Sequence, residues 1–395
     1  MPNHSESKGK PAIRDYSWIP ASDMESSCKR KILFIMHMPP PVHGAAMMGQ
    51  YIYDSEKINS AFDCRYVNLT SASTLEDIGR VRLRKILDSA RFIKRVKKEV
   101  EAFSPDLVYM TPNSKGIAFF KEFLVVRAVK NSGGGGKILA HYHNKGVSAK
   151  QENWLYDKLY RRFFADLKVI LLSERLFPDV EKYVSRENVF ICPNGIPEPG
   201  HLRQHDESEQ NETPRLLFLS NLMVDKGVLV LLDALRILRE NGRLFVCDFV
   251  GGETKGFDAA RFNREVEARG LDAVVSYHGK QYGEAKEAYW QNAAVFVFPS
   301  FNECFPLVLL EAMQHKVPVI STDEGGIPDI VEDGVTGRIC LKGDAADLAS
   351  KLDILISRPD LRRQYAEAGY EKYRSTFTVD IWEGRMAEIL SLIID

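Results

Sequence analysis

The sequence predicts an α/β protein built as two Rossmann-like parallel-sheet domains facing each other across a cleft. Three observations predict it. The chain has 395 residues, more than one hydrophobic core of ordinary size organises. Short apolar runs alternate with segments of helical periodicity, the pattern of parallel strands joined by helical crossovers. The alternation runs twice, interrupted by a polar, acidic, proline-bearing stretch over 197–213. The expected division is an arm over 1–28, a first domain over 29–196, a linker over 197–213, a second domain over 214–375 and a terminal helix over 376–395. In open α/β sheets, ligands bind beyond the C-terminal ends of the strands. The loops leaving each strand are therefore the places to look for function.

Composition narrows the field. An apolar fraction of 45% and a charged fraction of 27% suit a soluble globular protein. A formal net charge of −1 provides no global field for nucleic acid. The six cysteines include no C-x-x-C pair, which argues against a zinc site or a disulfide framework and suits a reducing compartment. No secretory signal and no apolar run of spanning length is present, so a cytoplasmic protein is expected.

In order along the chain, residues 1–28 are polar and without periodicity, as expected of a mobile arm. KILFIM opens the first domain as a buried strand, followed by a proline-stiffened loop and a helix. In that loop Gly44 allows close backbone approach, and Ala45 keeps the helix start thin. His43 reads equally well as a ligand contact and as a loop histidine binding nothing. A strand follows near 64–69. The segment 80–103 is a basic amphipathic helix, with Leu87, Ile93, Val96 and Val100 at helical spacing among Arg91, Lys94, Arg95, Lys97 and Lys98. Its basic stretch, 80–101, is either a solvated face or a docking surface for an anionic membrane, which would make the protein peripheral on the inner face of the cytoplasmic membrane.

A strand over 105–112 and a helix over 116–130 come next. The glycines of 133–136 form a turn, not a phosphate-binding P-loop, because Ile138 follows Lys137 and the chain continues as a strand. That strand, KILAHYHN, carries His141 and His143 on one face, with no third ligand spaced for a metal. A helix over 152–166 and two strands complete the domain. The second domain begins with the strand PRLLFL, the loop SNLMVDKG and a helix. LFVCDFVGG is a strand ending in Gly251-Gly252, where a ligand could approach. VVSYHGKQ places Gly279 and Lys280 in a loop.

The segment 293–337 holds the chemistry. A buried strand over 295–298 ends at Pro299-Ser300. Pro306 suits the first position of a helix running to Gln314. Glu303 stands in the loop and Glu311 on the helix, one turn beyond Leu307 on the same face. Free N–H groups at the helix start (Phe305, Leu307, Val308) form an anion site. The flanking carboxylates accept hydrogen bonds only, as sugar hydroxyls require. A diphosphate with a sugar on each side fits this arrangement.

PSFNECFPLVLLEA resembles the signature of the retaining glycosyltransferases of family 4, in which Glu, seven residues and Glu lie within PS-x-x-E-G-F-P-x-x-x-x-E-A. Cys304 stands where glycine is commonest. GGIPD over 325–329 is similar to the family's GG-x-P-E, and PNGI over 193–196 to its P-N-G. The resemblance implies the GT-B architecture, with the last helix crossing back to the first domain. It implies transfer of a hexose from a UDP- or GDP-sugar to a hydroxyl of a sugar or lipid-linked acceptor, with no metal. By the same resemblance His143, Glu303 and Lys226 are catalytic. Asn221, Lys226, Gly279, Lys280, Glu303, Cys304, Phe305, Pro306, Leu307, Val308 and Glu311 line the donor, and His43, Gly44 and Ala45 form the first-domain loop. The family's arginine is replaced by Asn221, so either the missing positive charge comes from elsewhere, with Lys280 and the first domain as candidates, or the grip on the diphosphate is weaker. Three other readings stay open: a sugar-nucleotide epimerase, an inverting transferase, or a silent nucleotide-sugar-binding protein.

Overall fold

The computed structural model describes residues 29–69, 81–133, 136–198 and 213–395, with 81–86 given by backbone alone. The arm over 1–28 and most of the linker lie outside these residues. The first sheet comprises β1 (Lys31–Met36), β2 (Asp63–Asn68), β3 (Leu107–Met110), β4 (Lys137–His141), β5 (Leu167–Leu171) and β6 (Val189–Ile191), all parallel, in the order β2-β1-β3-β4-β5-β6. The second comprises β7 (Arg215–Leu219), β8 (Val246–Val250), β9 (Val275–Tyr277), β10 (Val295–Phe298), β11 (Val319–Thr322) and β12 (Gly337–Cys340), again parallel, in the order β12-β11-β10-β7-β8-β9.

Helices cover both sheets. The first-domain helices are α1 (Gly44–Asp54), α2 (Glu56–Ala61), α3 (Val81–Phe103), α4 (Gly116–Lys130) and α5 (Trp154–Phe164). Those of the second are α6 (Val228–Glu240), α7 (Ala259–Glu267), α8 (Gly283–Asn292), α9 (Leu307–Gln314), α10 (Ile327–Ile330), α11 (Ala345–Ser357) and α12 (Pro359–Thr376), and α13 (Val379–Ile394) ends the chain. The helix expected after the first loop is two helices. Ser55 interrupts it, and its hydroxyl accepts the Ile58 N–H at 3.2 Å to cap α2. The helix expected from 152 begins later because Asn153 caps it through the amides of Leu155 and Tyr156.

β1 shows why its strand reads as a continuous apolar run. Leu33 and Ile35 face Val96, Val100 and Phe119 on one side of the sheet. Ile32, Phe34 and Met36 face the other, where Trp382, Met386, Leu390 and Ile393 of α13 cover them. A strand buried on both faces has no polar position. The last helix of the chain thus completes the core of the first sheet.

Strand order also locates the crevices. In the first sheet the direction reverses between β1 and β3, and in the second between β7 and β10. The loops leaving those strands diverge and open a gap at each topological switch point.

Candidate active site

The second-domain half of the site is built at the β7/β10 switch point. Gly227, at φ +79°, lies so close to β10 that an added Cβ would stand 2.1 Å from the Pro299 carbonyl oxygen. Only glycine fits there, and the contact holds Lys226 at the exit of β10. The Lys226 ammonium pairs with the Glu303 carboxylate and lies 5.6 Å from the centre of the Phe298 ring. The Ser300 hydroxyl donates to the same carboxylate at 3.0 Å. Gly326 N–H donates to the Cys304 carbonyl at 2.7 Å, so the loops after β10 and β11 are joined backbone to backbone.

Pro306 caps α9 instead of opening it: its ψ of 119° is extended, and Leu307 is the first helical residue. Among the described residues, the amides of Phe305, Leu307 and Val308 donate to no backbone acceptor. Such orphan donors are the ordinary resource of an anion site at a helix start. Cys304 is buried, and burial pushes its thiol up to about 12, so it is a neutral wall of the loop. Glu311 pairs with Lys286 of α8 at 2.6 Å. It also faces the first domain: the Tyr51 phenol of α1 is pushed up to about 12 by burial and then by the Glu311 charge. Leu307 packs against the cores of both sheets, and a Cβ added to Gly44 would lie 4.0 Å from its Cδ1. The Gly44–Ala45 start of α1 therefore looks across the cleft at the start of α9. Within the protein, a close backbone approach is made at Gly49, where a Cβ would meet the His37 carbonyl oxygen at 2.1 Å.

Four histidines gather at the first sheet's crevice. His37, just past β1, donates its amide to the Thr111 hydroxyl past β3 at 3.1 Å. His43 caps α1 by accepting the Ala46 N–H at 3.3 Å, and its ring centre lies 5.7 Å from that of His37. His141 is fully buried and hydrogen-bonded through Nδ1 to the Tyr109 hydroxyl at 2.6 Å. The His143 ring lies 4.2 Å from the His141 ring, and both of its nitrogens are enclosed without a hydrogen-bond partner among the described residues. Burial, reinforced by His37 and His43, lowers His143 to about 3, and burial with His43 and Lys121 lowers His37 to about 4. Both rings are neutral at physiological pH, able to donate and to accept. Asp179 anchors the loop after His143 by accepting the amides of Gly146, Val147 and Ser148 at 2.8, 3.2 and 3.0 Å.

Asn221, Gly279 and Lys280 stand farther along the second sheet. Asn221 Oδ1 accepts the Gly252 N–H at 3.1 Å, so this oxygen braces its own loop. The Lys280 side chain crosses Gly252, its Cε 2.1 Å from where a Cβ would be. Gly251 is required by the Ser220 carbonyl oxygen, 1.8 Å from its Cβ position. The Cβ positions of Gly251 and Gly252 are thus taken by the Ser220 carbonyl and the Lys280 side chain. The Gly279 carbonyl accepts from Gly251 at 2.8 Å.

Several partners went unread in the sequence: His37, Tyr51, Lys286, and the buried Glu324, which pairs with Lys145 of the first domain and with Lys342. None carries a local signal, because each meets its partner only through the tertiary fold. Among the described residues, no group of three or more His, Cys, Asp or Glu is arranged to hold a metal ion.

Residues 203–372 match the family described as glycosyl transferases group 1. Among curated relatives, the lipopolysaccharide 1,2-N-acetylglucosaminetransferase of Salmonella typhimurium is 26% identical over 342 residues, 78% of this chain and 84% of that one. The amylovoran biosynthesis glycosyltransferase AmsK of Erwinia amylovora is 29% identical over 226 residues, 55% of this chain and 54% of that one. The chain spans about half the length of most of the curated relatives it matches. Among solved structures, sucrose-phosphate synthase from Thermosynechococcus elongatus superposes with a TM-score of 0.72 at 20% identity, covering 92% of this chain and 99% of that one. Anabaena HepE in complex with UDP-glucose superposes at 0.70 with 18% identity, covering 92% and 99%. The fold is the GT-B fold shared by these glycosyltransferases.

Proposed function

We propose that this protein is a retaining glycosyltransferase of family 4 that moves a hexose from a UDP- or GDP-sugar to a hydroxyl of a sugar or lipid-linked acceptor. The observation that carries the reading is the convergence at one switch point of Lys226, Glu303, the orphan amides of α9 and Glu311, opposite neutral His143. The diphosphate seats on the α9 amides, with Lys226 stabilising the charge that grows as it leaves. Glu311 accepts hydrogen bonds from the ribose hydroxyls. Glu303 and His143 hold the donor sugar, and the acceptor hydroxyl attacks from the face the diphosphate vacates. Fixed dipoles and cations fill the role a metal would otherwise take. Relatives named for lipopolysaccharide and amylovoran synthesis support a place in cell-surface polysaccharide, lipopolysaccharide or glycolipid assembly.

Incubation with a panel of UDP- and GDP-sugars tests this. Release of free nucleoside diphosphate, with the product keeping the donor's anomeric configuration, is the expected result. Inverted product points to an inverting transferase, and an isomerised donor to an epimerase. A second reading, binding of the nucleotide sugar without transfer, draws on Asn221, whose side chain brings no charge and spends its oxygen on Gly252. Donor binding without turnover favours it.

The acceptor side extends to a membrane. On α3, Arg91, Lys94, Arg95, Lys97 and Lys98 are exposed while Val96 and Val100 are buried. Asp88 and Glu101 offset Arg91 and Lys97 in part. Each lysine or arginine near an anionic surface contributes about 1 kcal/mol, enough together to hold the protein on the inner face of the cytoplasmic membrane.

A further inference from the structure

The charge balance of the cleft points to a residue that the reading above leaves unused. Lys226 is matched by Glu303, and Lys286 by Glu311. Glu324 differs. Its carboxylate is buried, and two ammonium groups meet it: Lys145 from the loop after β4 and Lys342 from the loop after β12. A buried carboxylate needs a cation, and losing its sole partner is costly. With two, it can release one without being stranded.

Lys145 is the releasable one, because it comes from the opposite domain and stands beside the anion site. Glu324 precedes Gly325 (φ +55°), where an added Cβ would lie 2.2 Å from the Glu303 carbonyl oxygen, and Gly326 N–H binds the Cys304 carbonyl at 2.7 Å. The Lys145 ion pair is therefore anchored on the same backbone that leads into α9. Lys145 and Lys226 both act electrostatically on Cys304, approaching that loop from the two domains. The main chain of Lys145 is fixed, its carbonyl accepting from the Ser114 hydroxyl at 2.9 Å and the next amide held by Asp179 at 2.8 Å. Only the side chain has to move.

We propose that Lys145 swings from Glu324 to the β-phosphate of the donor, supplying from the first domain the positive charge that Asn221 lacks, while Lys342 keeps Glu324 paired. The proposal rests on the transferase reading.

Calorimetric titration of the full chain with UDP, GDP, UMP and GMP tests it, using wild type, Lys145→Met, Lys145→Arg and the double variant Lys145→Met/Glu324→Gln. Lys145→Met is expected to weaken binding of the preferred nucleoside diphosphate by about tenfold or more, the scale of one charge-assisted hydrogen bond. The corresponding monophosphate should lose much less, Lys145→Arg should retain most of the affinity, and the double variant should stay as weak as Lys145→Met. Unchanged diphosphate affinity in Lys145→Met overturns the proposal. So does restored affinity in the double variant, which would make Lys145 only a structural partner of Glu324, and so does equal loss for mono- and diphosphate. A wild type that binds none of the four nucleotides overturns the transferase reading itself, and this proposal with it.

Discussion

Glu303 and Lys226 are each other's partner, and a donor bound as proposed has to share them. Glu311 stands on α9, paired with Lys286. Glu311→Ala should lower kcat/KM by about tenfold to a hundredfold, the cost of charge-assisted hydrogen bonds to the donor. An unchanged melting curve would separate this loss from unfolding. His143 and His37 set the acid limb. A histidine in the unfolded chain takes a proton near 6.5, but in the fold these two do so only near 3 and 4. Between those values the unfolded chain holds more protons, so the stability present above about 6.5 erodes as pH falls toward 4. The thermal midpoint should drop between pH 7 and pH 5, and His143→Asn should flatten that slope. The loop positions of Glu303, Lys226 and His143 after strands, and of Glu311 within α9, could be read from the strand and helix patterning of the sequence. Their partners could not, because Lys286 and Tyr51 reach Glu311 from other helices.

At the scale of elements, Gly195 packs against the start of α13. A Cβ there would meet the Thr378 carbonyl oxygen at 2.5 Å and Trp382 Cβ at 2.6 Å. Its neighbours complete the joint. Asn194 donates to the Phe305 carbonyl at 3.2 Å, and the Ile196 and Val379 amides exchange hydrogen bonds with Phe377 and Ile196. Gly195→Ala should therefore cost about 1–3 kcal/mol by overpacking, read as a lower denaturant midpoint. An unchanged midpoint would show that α13 yields easily. Strand and helix types were legible from periodicity alone. Boundaries were less so: Ser55 and Asn153 recruit amides that the apolar pattern does not register.

For the whole molecule, two parallel sheets face each other with Ser173 donating to Asp329 at 2.5 Å and Lys145 meeting Glu324 across the gap. Both contacts join loops of the two sheets close to the loop leading into α9. Reversing the charges of Lys94, Arg95 and Lys97 should release the protein from anionic vesicles while turnover of a soluble acceptor persists. Unchanged co-sedimentation would reject membrane docking through α3. Two domains were legible from the doubled alternation and the polar break, but the pairing of Glu324 with Lys145 was not, since it joins loops of different sheets.

The central claim is that a diphosphate seats at the start of α9 between Glu303 and Glu311. The direct measurement is the crystal structure of the protein soaked with the nucleoside diphosphate it binds best. The account predicts phosphate oxygens on the amides of Phe305, Leu307 and Val308 and ribose hydroxyls on Glu311. Nucleotide density elsewhere, with those amides facing only solvent, would contradict it.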